Sequence, residues 1–428
     1  MSYSPLTGSG SVSFEVRVAE QDHGTGADRG AVLLLLVVFW LAQPQLHIRS
    51  GLGAETEMPG RHTGKMGQTM SSFGIEEEFF VFDAATGMPA DAVSIAFRQQ
   101  LEECRDGSVQ SEMLACQIEH ATSVCEDRDQ ALHELRSFRT DLARQVERAG
   151  MLAAGLGTAP MIPQRAPQLA DGARYRKIDS IFSGLTSEHY ICGLHIHVSI
   201  PDRDAGVKAL NFLRPWLPTL SALGANSPYW RGKDSKFSSW RNIQYRKWSV
   251  QGIPPHFVNA QDYDTRIDRI LDTESVLDLG HISWGARLSE KYSTIELRVA
   301  DAQMRAQDSV LLAVLARALV DTAMETTSVS DRYFPEILDL AAWQAAKHGC
   351  EGNQIDPLTG RARSIHAQIV QLLQLVQPAL QASGDQDFVV HSVRKLLAFG
   401  NGAIRQRRAY SRGALSHVLA TAHAELVM

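Results

Sequence analysis

The stretch FGIEEEFFVF, residues 73–82, decides the fold class, because its side chains alternate in polarity as they do along a β-strand. Glu76 and Glu78 fall on one face of this strand, whereas Glu77 falls among apolar residues on the other. A buried carboxylate costs free energy unless a cation pairs with it. We therefore expect the polar face to meet a cation, and we expect Glu77 to form a salt bridge or to lie near a sheet edge.

Three further segments show the same alternation of polar and apolar side chains. Any half-exposed antiparallel strand shows it, so a solvated sheet face remains the alternative for each segment taken alone. If the strands are neighbours, their polar sides form a carboxylate-lined surface, which a divalent cation would stabilise against charge repulsion. The segments are ICGLHIHVSI at 191–200 with His195 and His197, STIELRVADAQ at 293–303 with Glu296 and Arg298, and SEMLACQIEHATSV at 111–124 with Glu119 and, upstream, Glu112.

The chemistry of these side chains favours one kind of metal. Oxygen-rich sites prefer Mg²⁺ or Mn²⁺, and Mg²⁺ commonly shares its coordination with substrate phosphates. Arg298, on the same face as Glu296, suits a phosphoryl group near that metal. The pair His195 and His197 leaves a zinc hydrolase as an alternative.

The composition is that of an ordinary globular protein. The chain has 428 residues, 44% of them hydrophobic and 21% charged, with a formal net charge of −6 that gives no case for nucleic acid or anionic membrane as a partner. Its five cysteines include no CxxC pair, which argues against a disulfide framework and suits the cytoplasm. Strand patterns cluster in the first 300 residues, beside one amphipathic helix at 127–149 with Leu132, Leu135 and Leu142 on one face, whereas the end of the chain is mostly helical. That segregation predicts an α+β fold.

The first seventy residues differ from the rest of the chain. They contain one apolar run, AVLLLLVVFWLA at 31–42, which is short for a transmembrane helix. We expect residues 1–69 to be a disordered extension or a misassigned start, with the ordered protein beginning near Met66 or Met70. A signal or anchor segment and a folded element packed on the domain remain alternatives.

Six motifs, taken in order, resemble the glutamate–cysteine ligase type 2 family, a group of carboxylate–amine ligases related in fold to glutamine synthetase. The resemblance implies one catalytic domain over residues 70–428, with a helical C-terminal part. It also implies a curved antiparallel β-sheet with helices packed on one side and the active site in its concave face. The motifs are GIEEEFFVFD, QIEHATSV, CGLHIHVSI, NSPYWRGKDSKFSSWRNIQYRKW, STIELRVAD and GNGAIRQRR, within residues 71–410.

The resemblance also implies roles for individual residues. Glu112 and His197 receive no firm role from it. The segment 224–257 is rich in cations and aromatic rings, which also suits single-stranded nucleic acid, but the acidic net charge disfavours that partner. The implied roles are metal binding for Glu76, Glu78, Glu119 and Glu296; catalysis for Glu78 and Arg298; contact with the nucleotide for His195 and Arg298; and contact with a substrate carboxylate for Arg241. The basic stretch that follows the Gly-rich turn in residues 400–410 adds Arg405 as a candidate for contact with the nucleotide.

The implied activity is the ATP- and Mg²⁺-dependent joining of glutamate to cysteine, through an acyl phosphate, to give γ-glutamylcysteine for glutathione biosynthesis. Two alternatives stay open, namely a ligase for a different amino acid or amine, and a nucleotide-binding protein without turnover. We expect small-molecule substrates, a cytoplasmic location and no membrane partner. The family likeness adds a homodimer as an option.

Overall fold

The computed structural model describes residues 70–91, 93, 97, 99, 101, 107–327 and 333–428. The expectation for residues 1–69 lies outside this part of the chain. None of the described helices is long and apolar enough to cross a membrane.

Strands dominate the first part of the described chain, and helices dominate the last. The strands are β1 (Phe73–Asp83), β2 (Ser108–Ser111), β3 (Gln117–Ala121), β4 (Met151–Ala154), β5 (Gly193–Ser199), β6 (Tyr229–Trp230), β7 (Lys233–Asp234), β8 (Gln251–Gly252), β9 (Ser283–Trp284), β10 (Ala286–Leu288), β11 (Thr294–Asp301), β12 (Asn353–Asp356) and β13 (Arg361–Ser364). The helices are α1 (Arg128–Arg148), α2 (Ala173–Thr186), α3 (Arg203–Leu213), α4 (Leu217–Leu223), α5 (Trp240–Tyr245), α6 (Ala260–Asp272), α7 (Ala306–Glu325), α8 (Pro335–His348), α9 (Ile365–Ala382), α10 (Gln386–Phe399) and α11 (Gly402–Leu426).

Within the described residues the main sheet has seven strands in the order β10-β11-β5-β1-β3-β2, with β4 also paired to β1. Every pairing in this sheet is antiparallel. Strand β1 lies in the interior of the sheet. It pairs with β3 on one side, and on the other side its first half pairs with β5 and its second half with β4. The strands predicted at 73–82, 191–200 and 293–303 are therefore neighbours, as the carboxylate-lined surface requires.

Helices cover the face of the sheet that carries the apolar side chains. Helix α7 packs against β1 and β5, α1 against β1 and β4, α4 against β11, and α3 against β10. Most of α7 is buried all round, which is typical of a helix in the centre of a core. Ile75, Ile196 and Leu297, from three adjacent strands, join α7 in one apolar cluster. The predicted α+β fold, with an antiparallel sheet and a helical layer, is confirmed.

Glu77 lies on this helix-covered face, where it forms a buried salt bridge with Arg139 of α1. Arg139 donates from Nε to Glu77 Oε2 at 2.9 Å and from Nη2 to Oε1 at 2.6 Å, and the hydroxyl of Ser309 on α7 also donates to the carboxylate. Both partners are almost fully buried. The salt-bridge expectation for Glu77 is confirmed, whereas the sheet-edge alternative is wrong because β1 is an interior strand.

Candidate active site

The pairing of four strands brings the predicted acidic residues together on the face opposite the helical layer. Across β1 and β3, Glu78 lies directly opposite Glu119. Across β1 and β5, Glu76 lies opposite His195. Across β5 and β11, His197 lies opposite Glu296. The period of two along each strand then places all these side chains on one side of the sheet.

His195 occupies the centre of this cluster. Its Nδ1 is 3.2 Å from Glu76 Oε2 and 4.0 Å from Glu296 Oε1, and its Nε2 is 3.7 Å from Glu78 Oε1. The buried Nε2 has no hydrogen-bond partner. His197 is held differently, because its Nε2 is 3.3 Å from Glu76 Oε1 and its Nδ1 is 3.0 Å from the hydroxyl of Thr294.

The cluster forms the floor of a cavity of about 580 Å³. The cavity is large enough for a nucleotide or several small substrates. The predicted residues that line it are Glu76, Glu78, Glu119, His195, Glu296 and Arg298, together with Glu112 and His197, whose roles the sequence left open.

Burial and crowding of like charges dominate the electrostatics at one end of the cluster. Burial, followed by the charge of Glu112, raises the pKa of Glu78 to about 8. Burial and the neighbouring carboxylates raise the pKa of Glu119 well above its ordinary value. Burial likewise raises the pKa of Glu112. The charge of Arg298 opposes the shifts of Glu78 and Glu112 but does not cancel them, and a bound metal would relieve the remaining repulsion.

The other end of the cluster carries its own cations. Burial would raise the pKa of Glu296, but the charges of Arg298 and Arg287 outweigh it and lower the pKa to about 2. Arg298 Nη1 donates to Glu296 Oε1 and Arg287 Nε donates to Glu296 Oε2, each at 2.8 Å. Burial opposes ionisation of Glu76 too, yet hydrogen bonds with His195 and His197 hold its pKa well below the usual range. In one part of the cluster carboxyl groups crowd each other, and in the other part arginines and histidines stabilise the carboxylates. His195 lies between these two parts.

The residues present fit a divalent metal in two places that share His195. In each place the ligand atoms all lie within 4.8 Å of one another. One group is Glu76, His195 and Glu296, and the other is Glu78, Glu119 and His195. The unpartnered Nε2 of His195 supports the fit, since a buried nitrogen without a hydrogen bond is costly. Neither group includes His197, so these two groups lend no support to the two-histidine zinc alternative.

Arg241 lies beneath the cavity and does not line it. Its guanidinium is fully buried and donates to the backbone carbonyl of Arg298 at 3.2 and 3.3 Å. It also packs against Gly193, where an added Cβ would overlap its Nη2, and Gly193 N–H donates to Glu78 Oε2 at 2.7 Å. Contact between Arg241 and a substrate carboxylate stays a prediction. In the observed position Arg241 instead packs against the backbone of Gly193 and Arg298.

Arg405 lies outside the cavity, on α11. It donates to Asp308 of α7 at 2.6 Å and lies 3.5 Å from Glu425. Asp308 belongs to the helical layer, on the opposite face of the sheet from the acidic cluster. The predicted contact of Arg405 with a nucleotide also stays a prediction, and its described partners are both acidic protein side chains.

Arg287 is one of the cavity residues that the sequence interpretation missed. It lies on β10, which has three residues and shows too little alternation to be identified as a strand. A cation at the residue before Leu288 in the segment GARLS was the only available signal. In the structure Arg287 pairs across the strands with Glu296 and also donates to the carbonyl of Leu279.

Similarity to known proteins agrees with this geometry. Residues 72–421 match the family described as glutamate-cysteine ligase family 2 (GCS2). A protein of Nocardia farcinica is 39% identical over 82% of this chain and 91% of its own length, and one of Mycolicibacterium smegmatis is 36% identical over 80% and 94%. Both bear the name "Putative glutamate--cysteine ligase", numbered 2-1 and 2-3.

Two solved structures share the fold at low sequence identity. A glutamate–cysteine ligase of Francisella tularensis, solved in complex with AMP, is 11% identical with a TM-score of 0.65 and covers 84% of this chain and 89% of its own. A bifunctional glutathione synthetase of Pasteurella multocida is 14% identical with a TM-score of 0.63 and covers 84% and 52%. The fold, the family match and the identity to the relatives agree, and the chain belongs to glutamate-cysteine ligase family 2, as a carboxylate–amine ligase.

Proposed function

We propose that this ligase uses ATP to join the side-chain carboxylate of glutamate to an amine, through an acyl-phosphate intermediate, with cysteine as the nominal amine. The observation that carries the proposal is the convergence of four glutamates, His195 and Arg298 on the floor of one large cavity. Forming an amide in water requires an activated carboxylate, and ATP supplies the activation. The AMP bound to the Francisella tularensis ligase supports a nucleotide substrate.

Glu76, Glu78, Glu119 and Glu296, with His195 between them, would hold Mg²⁺, and Mn²⁺ has a similar preference for oxygen ligands. When bound, the metal would neutralise negative charge that develops on phosphate oxygens. The crowded carboxylates Glu78 and Glu119 lie opposite each other across two strands, so the sheet itself fixes their spacing.

Arg298 is the candidate for stabilising the transferred phosphoryl group. Its guanidinium is fixed by Glu296 through one nitrogen, and the backbone carbonyl of Arg298 is fixed by Arg241. Burial would lower the pKa of Arg298, but the charge of Glu296 outweighs it and raises that pKa, so the side chain stays cationic. Fixed donors are more effective than mobile ones because they need no reorganisation when charge develops.

The proposed reaction has two steps. An oxygen of the glutamate side-chain carboxylate attacks the γ-phosphorus of ATP, the bond from phosphorus to the β,γ-bridging oxygen breaks, and ADP leaves. The neutral amine nitrogen then attacks the acyl carbon, the acyl carbon–oxygen bond breaks, phosphate leaves, and the nitrogen loses one proton to solvent. Neither step requires a covalent enzyme nucleophile, which agrees with four buried, unpaired cysteines among the described residues.

The test is ADP release by the purified chain with Mg-ATP, glutamate and a panel of amino acids and amines. We expect release that requires both glutamate and an amine, and we expect Glu78→Gln to lower it by more than about 100-fold. Glu336→Gln is the matched control, because Glu336 is exposed on α8 and does not line the cavity.

Two results would count against the proposal. Normal turnover by a folded Glu78→Gln variant would remove the metal assignment. ATP binding without ADP release for any pair would support the alternative of a nucleotide-binding protein without turnover. Isolation of amide product by mass spectrometry, together with ADP, distinguishes ligation from simple ATP hydrolysis.

A further inference from the structure

One side of the cavity is a wall of aromatic rings that the acidic cluster does not explain. Four of its members line the cavity: Tyr245, His189, Trp248 and His281. Their ring centroids are 6.1 Å apart for Tyr245 and His189, 5.3 Å for His189 and Trp248, and 5.3 Å for Trp248 and His281. Phe182 of α2 packs behind, 5.6 Å from Trp248 and 5.1 Å from His281. We call these five residues the aromatic wall.

The aromatic wall carries no positive charge. Nδ1 of His281 accepts a hydrogen bond from the backbone N–H of Leu277 at 3.0 Å, so the proton of the neutral ring lies on Nε2. That Nε2 is buried without a partner, in a side chain that is 92% buried. Burial, followed by the charge of Arg241, lowers the pKa of His189 to about 3, so His189 is neutral as well. The wall therefore offers flat faces and one unused N–H donor.

The cations of the cavity are already committed to protein carboxylates. Arg174 makes a two-bond pair with Asp278, at 2.7 and 2.9 Å, while Arg287 and Arg298 share Glu296. Lys291, on the exposed rim, is the remaining cation among the described residues that line the cavity. The triphosphate and the α-carboxylate of glutamate would compete for these few groups. Arg241 lies 4.6 Å from the centroid of the Tyr245 ring, but its guanidinium is fully buried, does not line the cavity and donates to the Arg298 carbonyl. A second substrate carboxylate on the cavity side of the aromatic wall would therefore meet no cation of the wall itself.

The aromatic wall begins beside the reacting groups. The Tyr245 hydroxyl lies within hydrogen-bonding reach of the Arg298 guanidinium, and Arg298 contacts Glu296 in the acidic cluster. The adenine of ATP must lie a triphosphate's length away from the phosphorus that reacts. A ring surface that starts next to Arg298 is therefore better placed for the acyl acceptor than for adenine.

From these contacts we propose that the amine substrate is a primary amine that carries an apolar or aromatic group and no carboxylate, with that group packed on the aromatic wall. The proposal rests on the ligase function proposed above and replaces cysteine, the nominal amine there, as the acyl acceptor. Its chemistry is the second step of that reaction with this amine as nucleophile. A buried carboxylate without a cation is costly, whereas rings stack favourably on rings and on a neutral wall.

Matched amines that differ only by the carboxylate give the test. ADP release and amide formation are measured with Mg-ATP and glutamate, using cysteamine against cysteine and 2-phenylethylamine against phenylalanine. We expect kcat/KM to be at least tenfold higher for the amine without the carboxylate in each pair. Faster reaction of cysteine and phenylalanine would overturn this inference and leave the ligase function standing. Release with no amine at all would overturn both.

A variant of the wall separates the amine from adenine as its occupant. Trp248→Leu should raise KM for 2-phenylethylamine at least fivefold and leave KM for ATP within twofold. A rise in KM for ATP alone would place adenine on the wall and overturn the inference. Trp343→Leu is the matched control, because Trp343 lies on α8 and does not line this cavity.

Trp248 also packs in an apolar cluster, so a second variant guards against misfolding. His281→Asn removes a ring of the wall and keeps an oxygen that accepts the Leu277 N–H. We expect the same rise in KM for 2-phenylethylamine, with an unchanged melting temperature. Unchanged KM for both amines in a folded His281→Asn variant would contradict packing on the wall.

Discussion

Replacing Glu77 by glutamine should destabilise the protein strongly, whereas the same replacement at Glu78, the next residue, should not. The two side chains lie on opposite faces of β1, and their surroundings differ in charge. Glu77 is the sole described carboxylate that contacts Arg139, while Glu78 lies among other carboxylates. One strand thus permits the same chemical change to be tested in two opposite environments.

The magnitude at Glu77 follows from its contacts. Arg139 is fully buried and makes four hydrogen bonds of 3.0 Å or less, two to Glu77 and one each to the carbonyls of Gln303 and Met304. The glutamine would keep one accepting oxygen but would turn an amide N–H₂ towards a guanidinium N–H. Removing one member of a buried ion pair costs about 3–5 kcal/mol, because the remaining charge has no compensation. We expect about 3 kcal/mol, since one hydrogen bond survives.

At Glu78 the expected sign is different. Burial and the charge of Glu112 disfavour the ionised form of Glu78 in the metal-free protein. A neutral glutamine relieves that repulsion and can still accept the Gly193 N–H. We expect the free energy of unfolding of the metal-free Glu78→Gln variant to equal or exceed that of the wild type.

Urea denaturation in EDTA, followed by circular dichroism and tryptophan fluorescence, measures both variants. Glu336→Gln, on the exposed side of α8, controls for the substitution itself. Equal losses of unfolding free energy for Glu77→Gln and Glu78→Gln would refute the idea that Glu77 stabilises the fold while Glu78 does not. A loss below about 1 kcal/mol at Glu77, which is the size expected of a surface ion pair, would also refute it.

Three further predictions concern the site. Gly193→Ala should lower kcat more than the urea midpoint, because the added Cβ would overlap Arg241 and displace the N–H that Glu78 accepts; steady-state ADP release and urea denaturation compare the two effects. Arg298→Lys should lower kcat by about 100-fold, because a lysine that pairs with Glu296 has no second, coplanar N–H group to donate to the phosphoryl group; steady-state kinetics measures kcat. Adding Mg²⁺ should raise the melting temperature of the wild type, because Glu78 and Glu119 face each other as carboxyl groups, and the rise should be smaller in Glu119→Gln; thermal unfolding in EDTA and in Mg²⁺ measures both.

Each of these has a contradicting outcome. A Gly193→Ala variant with wild-type kcat would show that the Gly193 backbone does not position the site. Full turnover by Arg298→Lys would mean that a point charge suffices there. An equal Mg²⁺ response in the wild type and in Glu119→Gln would place the metal elsewhere.

The polar face of the sheet could be predicted from the sequence because a strand has a period of two. That period alone put Glu76 and Glu78 on one side, and it did the same for His195 and for Glu296 in their own strands. The neighbouring arrangement of the strands followed from the resemblance, since alternation carries no information about which strand pairs with which. The sequence and the resemblance together therefore predicted the main features of the sheet.

Arg298 could be placed in the same way, but three other arginines, Arg139, Arg241 and Arg405, could not. Arg139 lies on the buried face of a helix that the sequence predicted from its leucines, and nothing in its own segment identifies Glu77, 62 positions away, as its partner. Arg241 and Arg405 lie in basic segments that suggested ligands, yet their contacts are with protein groups. A long flexible cation reaches partners set by tertiary packing, so its type and local sequence do not fix its role.

The aromatic wall escaped the sequence interpretation for a related reason. Phe182, His189, Tyr245, Trp248 and His281 come from separate helices and loops and share no period. Their rings meet because α2, α5 and the turn at Leu279–His281 converge on the same side of the cavity. Tertiary contacts of this kind become visible only when the chain is folded.

The three consecutive glutamates of β1 also have a consequence for how this gene tolerates change. A run of one amino acid looks redundant, as though any member could replace its neighbour. Here a single-codon insertion or deletion ahead of Glu76 would move each of the three glutamates to the opposite face of the sheet. Two carboxylates would then face the helical layer of α1 and α7, and one would face the cavity. In a saturation library across this strand, we expect positions 76, 77 and 78 to reject substitution independently, the middle one for solubility and yield and the outer two for turnover alone.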